Sequence, residues 1–266
     1  MTIDERWLLF LVGWAVASAL LWSLYVLQRR TGDATAVDAG WAASLTLLAV
    51  FYGVFAPGEV EHKALIAALA GVENLRVASV VLRRVGRGED SRYQELRARW
   101  RAKGREQLTF AIFYQAQAAL AALLSIPILL AAFNGHDGLE PLEWAGAAVW
   151  ACGALFEAVS DSQLRRHKAN PENKGKTMCS GLWRYSRHPN YFGQWLTWVG
   201  YALVATAAPW GWLAWFAPAL MLHLILFVTG VKPSEEAAVK SRGEDFRRYQ
   251  RETSPFVPWF PKRTTA

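Results

Sequence analysis

The 266-residue chain is 53% hydrophobic, carries 14 tryptophans and has a formal net charge of +7. Its long runs without charge exclude an ordinary soluble domain and fit a polytopic membrane protein. Two cysteines, Cys152 in an apolar run and Cys179 in a basic loop, exclude a disulfide framework, and no Cys/His cluster has metal-ligand spacing.

Met1–Arg6 is mildly acidic and leads into an apolar run long enough to span, so no cleavable signal is expected there. Seven membrane-spanning stretches are predicted, at roughly 7–27, 36–56, 62–82, 108–133, 141–160, 192–208 and 211–231. The fold class is therefore all-α, a polytopic helix bundle read as one integral membrane domain over residues 1–266. The second stretch opens on Asp38-Ala-Gly-Trp41; the aspartate reads first as a helix cap and otherwise as an acid reaching a substrate. The third carries Glu73, Asn74 and Arg76. The spacing of Glu73 and Arg76 lets them pair on a helix, as structural glue or as the wall of a polar pocket. A basic loop follows, with an amphipathic helix predicted at Tyr93–Arg101.

The fifth stretch ends with Glu157, Asp161 and Arg165 on one helical face, either a salt-bridged helix end or the polar edge of a ligand site. A loop rich in Asn and Lys, including Lys174, leads to Gly181-Leu-Trp-Arg-Tyr-Ser-Arg-His-Pro-Asn-Tyr-Phe-Gly-Gln194. Two arginines, a histidine and an asparagine at the mouth of an apolar stretch are costly there and suit a ligand, with guanidinium best matched to phosphate. Ala-Pro-Trp-Gly at 208–211 reads as a tight turn. His223, mid-span, reads as an inter-helix hydrogen-bond donor. After the seventh stretch come Glu235 and Glu236, a basic amphipathic segment at Glu244–Arg251, and a tail whose prolines 255, 258 and 261 preclude regular helix.

If all seven stretches span, 26 of the 29 Lys and Arg fall in loops on one side. The positive-inside rule then puts the N-terminus outside and the C-terminus in the cytoplasm. The basic surplus is thus topological, and nucleic acid is not an expected partner. No Gly-x-Gly-x-x-Gly motif opens a strand–helix unit, and neither a Walker pattern nor a hydrolase triad motif is present.

Several segments together resemble the steroid 5α-reductase superfamily, in particular its bacterial branch. They are Val37-Asp-Ala-Gly-Trp41, Arg87-Gly-Glu-Asp-Ser-Arg-Tyr93, Asp161-Ser-Gln-Leu-Arg-Arg166, Asn170-Pro-Glu-Asn-Lys-Gly175, Gly181 to Gly193, and Tyr249 to Pro258. The resemblance implies a membrane-embedded, NADPH-dependent reduction of a carbon–carbon double bond in a lipophilic, steroid-like or isoprenoid-like substrate. It also implies a bacterial inner-membrane location with the cofactor site facing the cytoplasm, carried by residues 141–266. Isoprenylcysteine carboxyl methyltransferases share Arg187-His-Pro-Asn-Tyr191 and the Glu235-Glu236 pair, and imply S-adenosylmethionine instead. A membrane protein that only binds lipid headgroups is a third reading. The three phosphate groups of NADPH account better for the clustered arginines.

Carried over by position, Asp161 and Arg165 would hold the adenosine side of the cofactor. Asn190 and Tyr191 would approach the nicotinamide or its linker. Arg184, Arg187, His188 and Arg242 would face phosphates, Tyr249 would pack on the cofactor, and Arg87 resembles a reductase arginine in the same setting. Two departures stand out: Gln194 replaces a common Glu, and the Gln-Glu pair that polarises a steroid ketone is missing. Glu73 first, and Asp38 second, are the expected proton donors.

Overall fold

The computed structural model describes residues 4–82 and 88–262. Among them there is helix, turn and coil but no strand. Five helical segments are long and apolar enough to cross a membrane: Glu5–Thr31, Ala36–Phe55, Glu106–Ala132, Pro141–Ala169 and Gly211–Arg242. Helices also occupy the third and sixth predicted stretches, at Val60–Leu82 and Pro189–Thr206. The chain divides into two compact units, Met1–Glu143 with Val204–Ala214, and Trp144–Leu203 with Trp215–Ala266.

In the first unit, α1 (Glu5–Thr31) starts where the Asp4 side chain accepts from the Arg6 N–H and stops at Gly32, which is left-handed at φ 71°. Its buried stripe is Gly13, Ala17, Leu21, Tyr25 and Gln28. Trp7, Leu11, Trp14 and Trp22 point outward and stay exposed, the disposition that lipid rather than water solvates. Gly13 lets α1 close on α2 (Ala36–Phe55): a Cβ there would lie 2.8 Å from both Leu48 and the Tyr52 hydroxyl. α3 (Val60–Leu82) packs on α2. The predicted fourth stretch is two helices, α5 (Glu106–Leu124) and α6 (Ile126–Ala132), broken at Ser125 ahead of Pro127. Ser125 Oγ lies 3.2 Å from the Tyr52 hydroxyl.

The predicted amphipathic helix is α4 (Ser91–Ala102), capped by Asp90. Polar bonds tie its start to that of α2. Asp38 accepts from the Tyr93 hydroxyl at 2.5 Å and from Arg92 Nη2 at 2.8 Å. Glu89 accepts from the Ala34 N–H and from Arg97, and the Asp90 N–H donates to Thr35 Oγ1. Asp38 therefore does not cap α2; Thr35 holds the N-cap position and Asp38, one turn inside, is a tether for α4. Fully buried at another point of this unit, His62 Nδ1 lies 2.6 Å from Glu143, and its Nε2 faces the His136 carbonyl at 2.8 Å.

In the second unit, α7 (Pro141–Ala169, from Trp144 onward) packs on α8 (Pro189–Thr206) through glycines. A Cβ on Gly153 would lie 2.7 Å from the Gly193 carbonyl oxygen, and one on Gly193 would lie 2.6 Å from the Glu157 nitrogen. Small residues at such positions let helix backbones approach in lipid. α9 (Phe216–His223) runs through one π turn to Gly230, which precedes α10 (Val231–Arg242). His223 is exposed and its ring meets Phe227, one turn on along the chain. After Gly243, at φ 57°, comes α11 (Glu244–Glu252), the second predicted amphipathic helix. Ala238, Phe246 and Tyr249 form a small core between α10 and α11. The proline-containing tail is non-helical, as expected.

Candidate functional site

The second unit gathers most of the candidate residues around two cavities. The first, of about 370 Å³, is lined by Arg187, His188, Asn190, Tyr191, Ser234, Arg242 and Tyr249, among others. The second, of about 530 Å³, is lined by the loop from Lys168 to Lys176, including Lys174, and by Ser241 and Arg242. They share Leu164, Lys168, Met178, Ser241 and Arg242 as walls, so one continuous cleft is formed.

The cleft is built by local chemistry. Asn170 accepts from the Glu172 N–H and opens a 3₁₀ turn at Pro171–Asn173, and Gly175 at φ 79° completes the loop. Gly181, at φ 61°, starts a second 3₁₀ turn, Gly181–Arg184, and the Leu182 N–H donates to Gln163 Oε1. Pro189 then occupies the first position of α8, where its missing N–H costs nothing. That pins His188, Asn190 and Tyr191 at the mouth of the helix.

The polar groups divide into committed and uncommitted sets. Arg187 is largely committed: Nε donates to Glu235 at 2.7 Å, and Nη1 donates to the carbonyls of Gln250 and Thr253 at 2.9 and 2.6 Å. Its own N–H donates to the Ser254 carbonyl at 2.8 Å. His188 Nε2 lies 3.1 Å from the same Glu235 oxygen, and the His188 ring stacks on Tyr191 with an interplanar angle of 2°. Gln250 Nε2 donates to the other Glu235 oxygen at 2.6 Å. The Tyr249 hydroxyl donates to the carbonyls of Trp183 and Ser186. Burial pushes its ionisation well above the usual value, which keeps it a donor.

Other groups remain available. Asn190 Nδ2 donates to Asp161 at 3.1 Å, while its Oδ1 is buried with no hydrogen-bond partner among the described residues. Arg242 lies over the Phe246 ring at 4.9 Å. Among the described residues, no carboxylate lies within ion-pair distance of Lys168, Lys174 or Arg242. A basic cleft whose wall includes a buried, unsatisfied amide oxygen can take an extended anionic molecule that also carries an N–H donor.

Not every candidate joins the cleft. Asp161 lines neither cavity and accepts from Asn190, which lines one; Arg165 and Arg184 are exposed and line neither cavity. Arg87 lies outside the described residues. Glu73 and Asp38 belong to the first unit, where Arg76 donates to Glu73 at 3.1 Å. Two members of the knot carried no assigned role in the sequence. Glu235 is its centre, and its signal was the acidic pair after the last span. Gln250 gave no signal, because its partner lies 15 residues away across two helices.

The chain is 30% identical to the cow protein 3-oxo-5-alpha-steroid 4-dehydrogenase 1 over 118 residues, 44% of this chain and 43% of the relative. The human protein of the same name is 25% identical over a stretch of equal length. A probable O-methyltransferase, ustE, of Ustilaginoidea virens is 36% identical over 58 residues, 22% of this chain and 20% of the relative. The chain thus spans less than half the length of the curated relatives it matches, and no solved structure matches it. The family described as "Protein of unknown function (DUF1295)" matches residues 24–253, most of the chain, and the protein belongs to that family.

Proposed function

We propose that this protein is a membrane reductase that binds NADPH in the cleft of its second unit and reduces a double bond in a lipophilic substrate. The observation that carries the reading is the division of the cleft walls. One part presents Lys168, Lys174 and Arg242, none of them ion-paired among the described residues, and the other presents Oδ1 of Asn190, buried with no hydrogen-bond partner among them. The cations suit phosphates. The amide oxygen suits the carboxamide N–H of a nicotinamide. Bound there, NADPH would supply the hydride.

The chain's own residues position and exclude. Arg187 acts as a clamp that holds the tail against the motif rather than as a phosphate ligand. His188, fixed by Glu235 and stacked on Tyr191, forms the wall. Glu73 remains the proton donor we favour: one oxygen accepts from Arg76, and Oε2 is buried without a partner among the described residues. Asp38, bonded by Tyr93 and Arg92, is assigned the structural role.

A second reading, methyl transfer from S-adenosylmethionine, is favoured by the 58-residue likeness to an O-methyltransferase. Melting of the purified protein in detergent with NADPH, NADH or S-adenosylmethionine separates the two. NADPH is expected to stabilise it more than NADH, with S-adenosylmethionine inert. Lys168→Gln combined with Arg242→Gln is expected to lower NADPH affinity at least about tenfold, the loss of one to two charge-assisted bonds. Stabilisation by S-adenosylmethionine alone would overturn the reductase reading.

A further inference from the structure

The tail after α11 is held firmly and yet turns its largest side chains outward. The Arg187 N–H donates to the Ser254 carbonyl at 2.8 Å, Ser186 Oγ to the Phe256 carbonyl at 2.7 Å, and the Trp259 N–H to the Tyr185 carbonyl at 2.9 Å. The Lys262 N–H closes the run on the Glu252 carbonyl at 2.8 Å. Phe256 is buried against Phe192 and Trp195 of α8. The side chains that follow do the opposite: Val257, Trp259 and Phe260 are 54%, 70% and 76% exposed. The Phe260 ring meets those of Tyr185 and Trp259 at 6.2 and 6.4 Å, so the exposed rings form one patch. Large apolar groups gathered on a pinned backbone cost free energy in water and mark a contact surface.

Two contacts give the depth of the patch. Trp183 Nε1, two residues before Tyr185, donates at 3.0 Å to the carbonyl of Ser160, the last residue of the fifth predicted spanning stretch. Phe256 packs on Phe192, the first residue of the sixth. The patch therefore lies where the apolar stretches of α7 and α8 end, at the level of the bilayer surface. Arg184 and Lys262 bracket it in the chain, both exposed and without an ion pair among the described residues. Aromatic rings with cations at their edge are the composition that suits that level: rings sit among headgroups and upper acyl chains, and cations reach lipid phosphates.

We propose that Val257, Trp259 and Phe260 dock the tail on the membrane surface, with Arg184 and Lys262 at the headgroup phosphates. The partner is lipid, because lipid is what surrounds the helices at this depth. The docked segment is the one whose start Arg187 holds through the Thr253 carbonyl, so the bilayer braces the tail from outside and Arg187 from inside. The docking stands whichever cofactor the cleft takes.

The full chain in phospholipid nanodiscs tests this. Cys152→Ala with Cys179→Ser removes the native thiols, and Phe260→Cys, Val257→Cys or Glu172→Cys then carries one nitrobenzoxadiazole label. Glu172 is the aqueous control: α7 runs on to Ala169, about 13 Å past Ser160 at helical rise, and Glu172 follows it. At 257 and 260 the emission should shift to the blue. It should be largely lost when phosphatidylcholine carrying a nitroxide near its headgroup is included, and should resist aqueous iodide. At 172 iodide should quench and the nitroxide lipid should not. Labels at 257 and 260 that behave like the one at 172 would overturn the proposal. So would a blue shift without nitroxide quenching, which would mark a protein partner such as a second copy. A fall in melting temperature of both tail variants before labelling would make these side chains structural and overturn it too.

Discussion

Arg187 shows how a residue chosen for one kind of contact is held by another. Its side chain is 10% exposed and joins Glu235 to the carbonyls of Gln250, in the last turn of α11, and Thr253, where the tail begins. Removing one partner of a mostly buried, hydrogen-bonded pair costs about 3–5 kcal/mol, because the other charge is left behind. Arg187→Ala is therefore expected to lower the melting temperature and to open the segment after Thr253 to protease before the helices are cut. Glu235→Gln keeps its shape and acceptor oxygen, and should be milder than Glu235→Ala. Limited proteolysis beside NADPH titration distinguishes the roles. Lost NADPH binding with a fully protected tail would make Arg187 a phosphate ligand after all.

Helices in this protein meet at two kinds of surface. α1 and α5 meet at the Tyr25 and Tyr114 rings, whereas α7 and α8 meet backbone to backbone at Gly153 and Gly193. A methyl group on Gly193 would fall 2.6 Å from a backbone nitrogen that no rotamer change can move. Gly193→Ala should thus force the pair apart and cost about 1–3 kcal/mol, read as a lower melting temperature in detergent. Gly53→Ala is the matched control on α2, where a Cβ meets nothing within 4 Å. Removing backbone freedom there should be neutral or stabilise by up to about 1 kcal/mol. Because Gly193 follows Tyr191 on the same helix, separation of α7 from α8 should also loosen the cleft.

For the whole molecule, charge placement makes the firmest prediction. With 26 of 29 Lys and Arg in alternate loops, the C-terminus is expected in the cytoplasm. A C-terminal green fluorescent protein fusion should fluoresce and an alkaline phosphatase fusion should be inactive; the reverse would overturn the orientation and the cytoplasmic cofactor site with it. Helix positions were legible in the sequence because apolar run length and helical periodicity are local consequences of solvation. So were the two amphipathic helices, Ser91–Ala102 and Glu244–Glu252, and the motif from Gly181 to Gly193. The break at Ser125 was not read, although Pro127 marks it. The partners were illegible. Arg187 finds Glu235 48 residues away and the Thr253 carbonyl 66 away, and Asp38 finds Tyr93 55 residues away. Residue type determined by itself that these groups were too polar for lipid and required company. Which company each one keeps depends on chain closure and on the meeting of distant helix faces, and only the tertiary structure decides that.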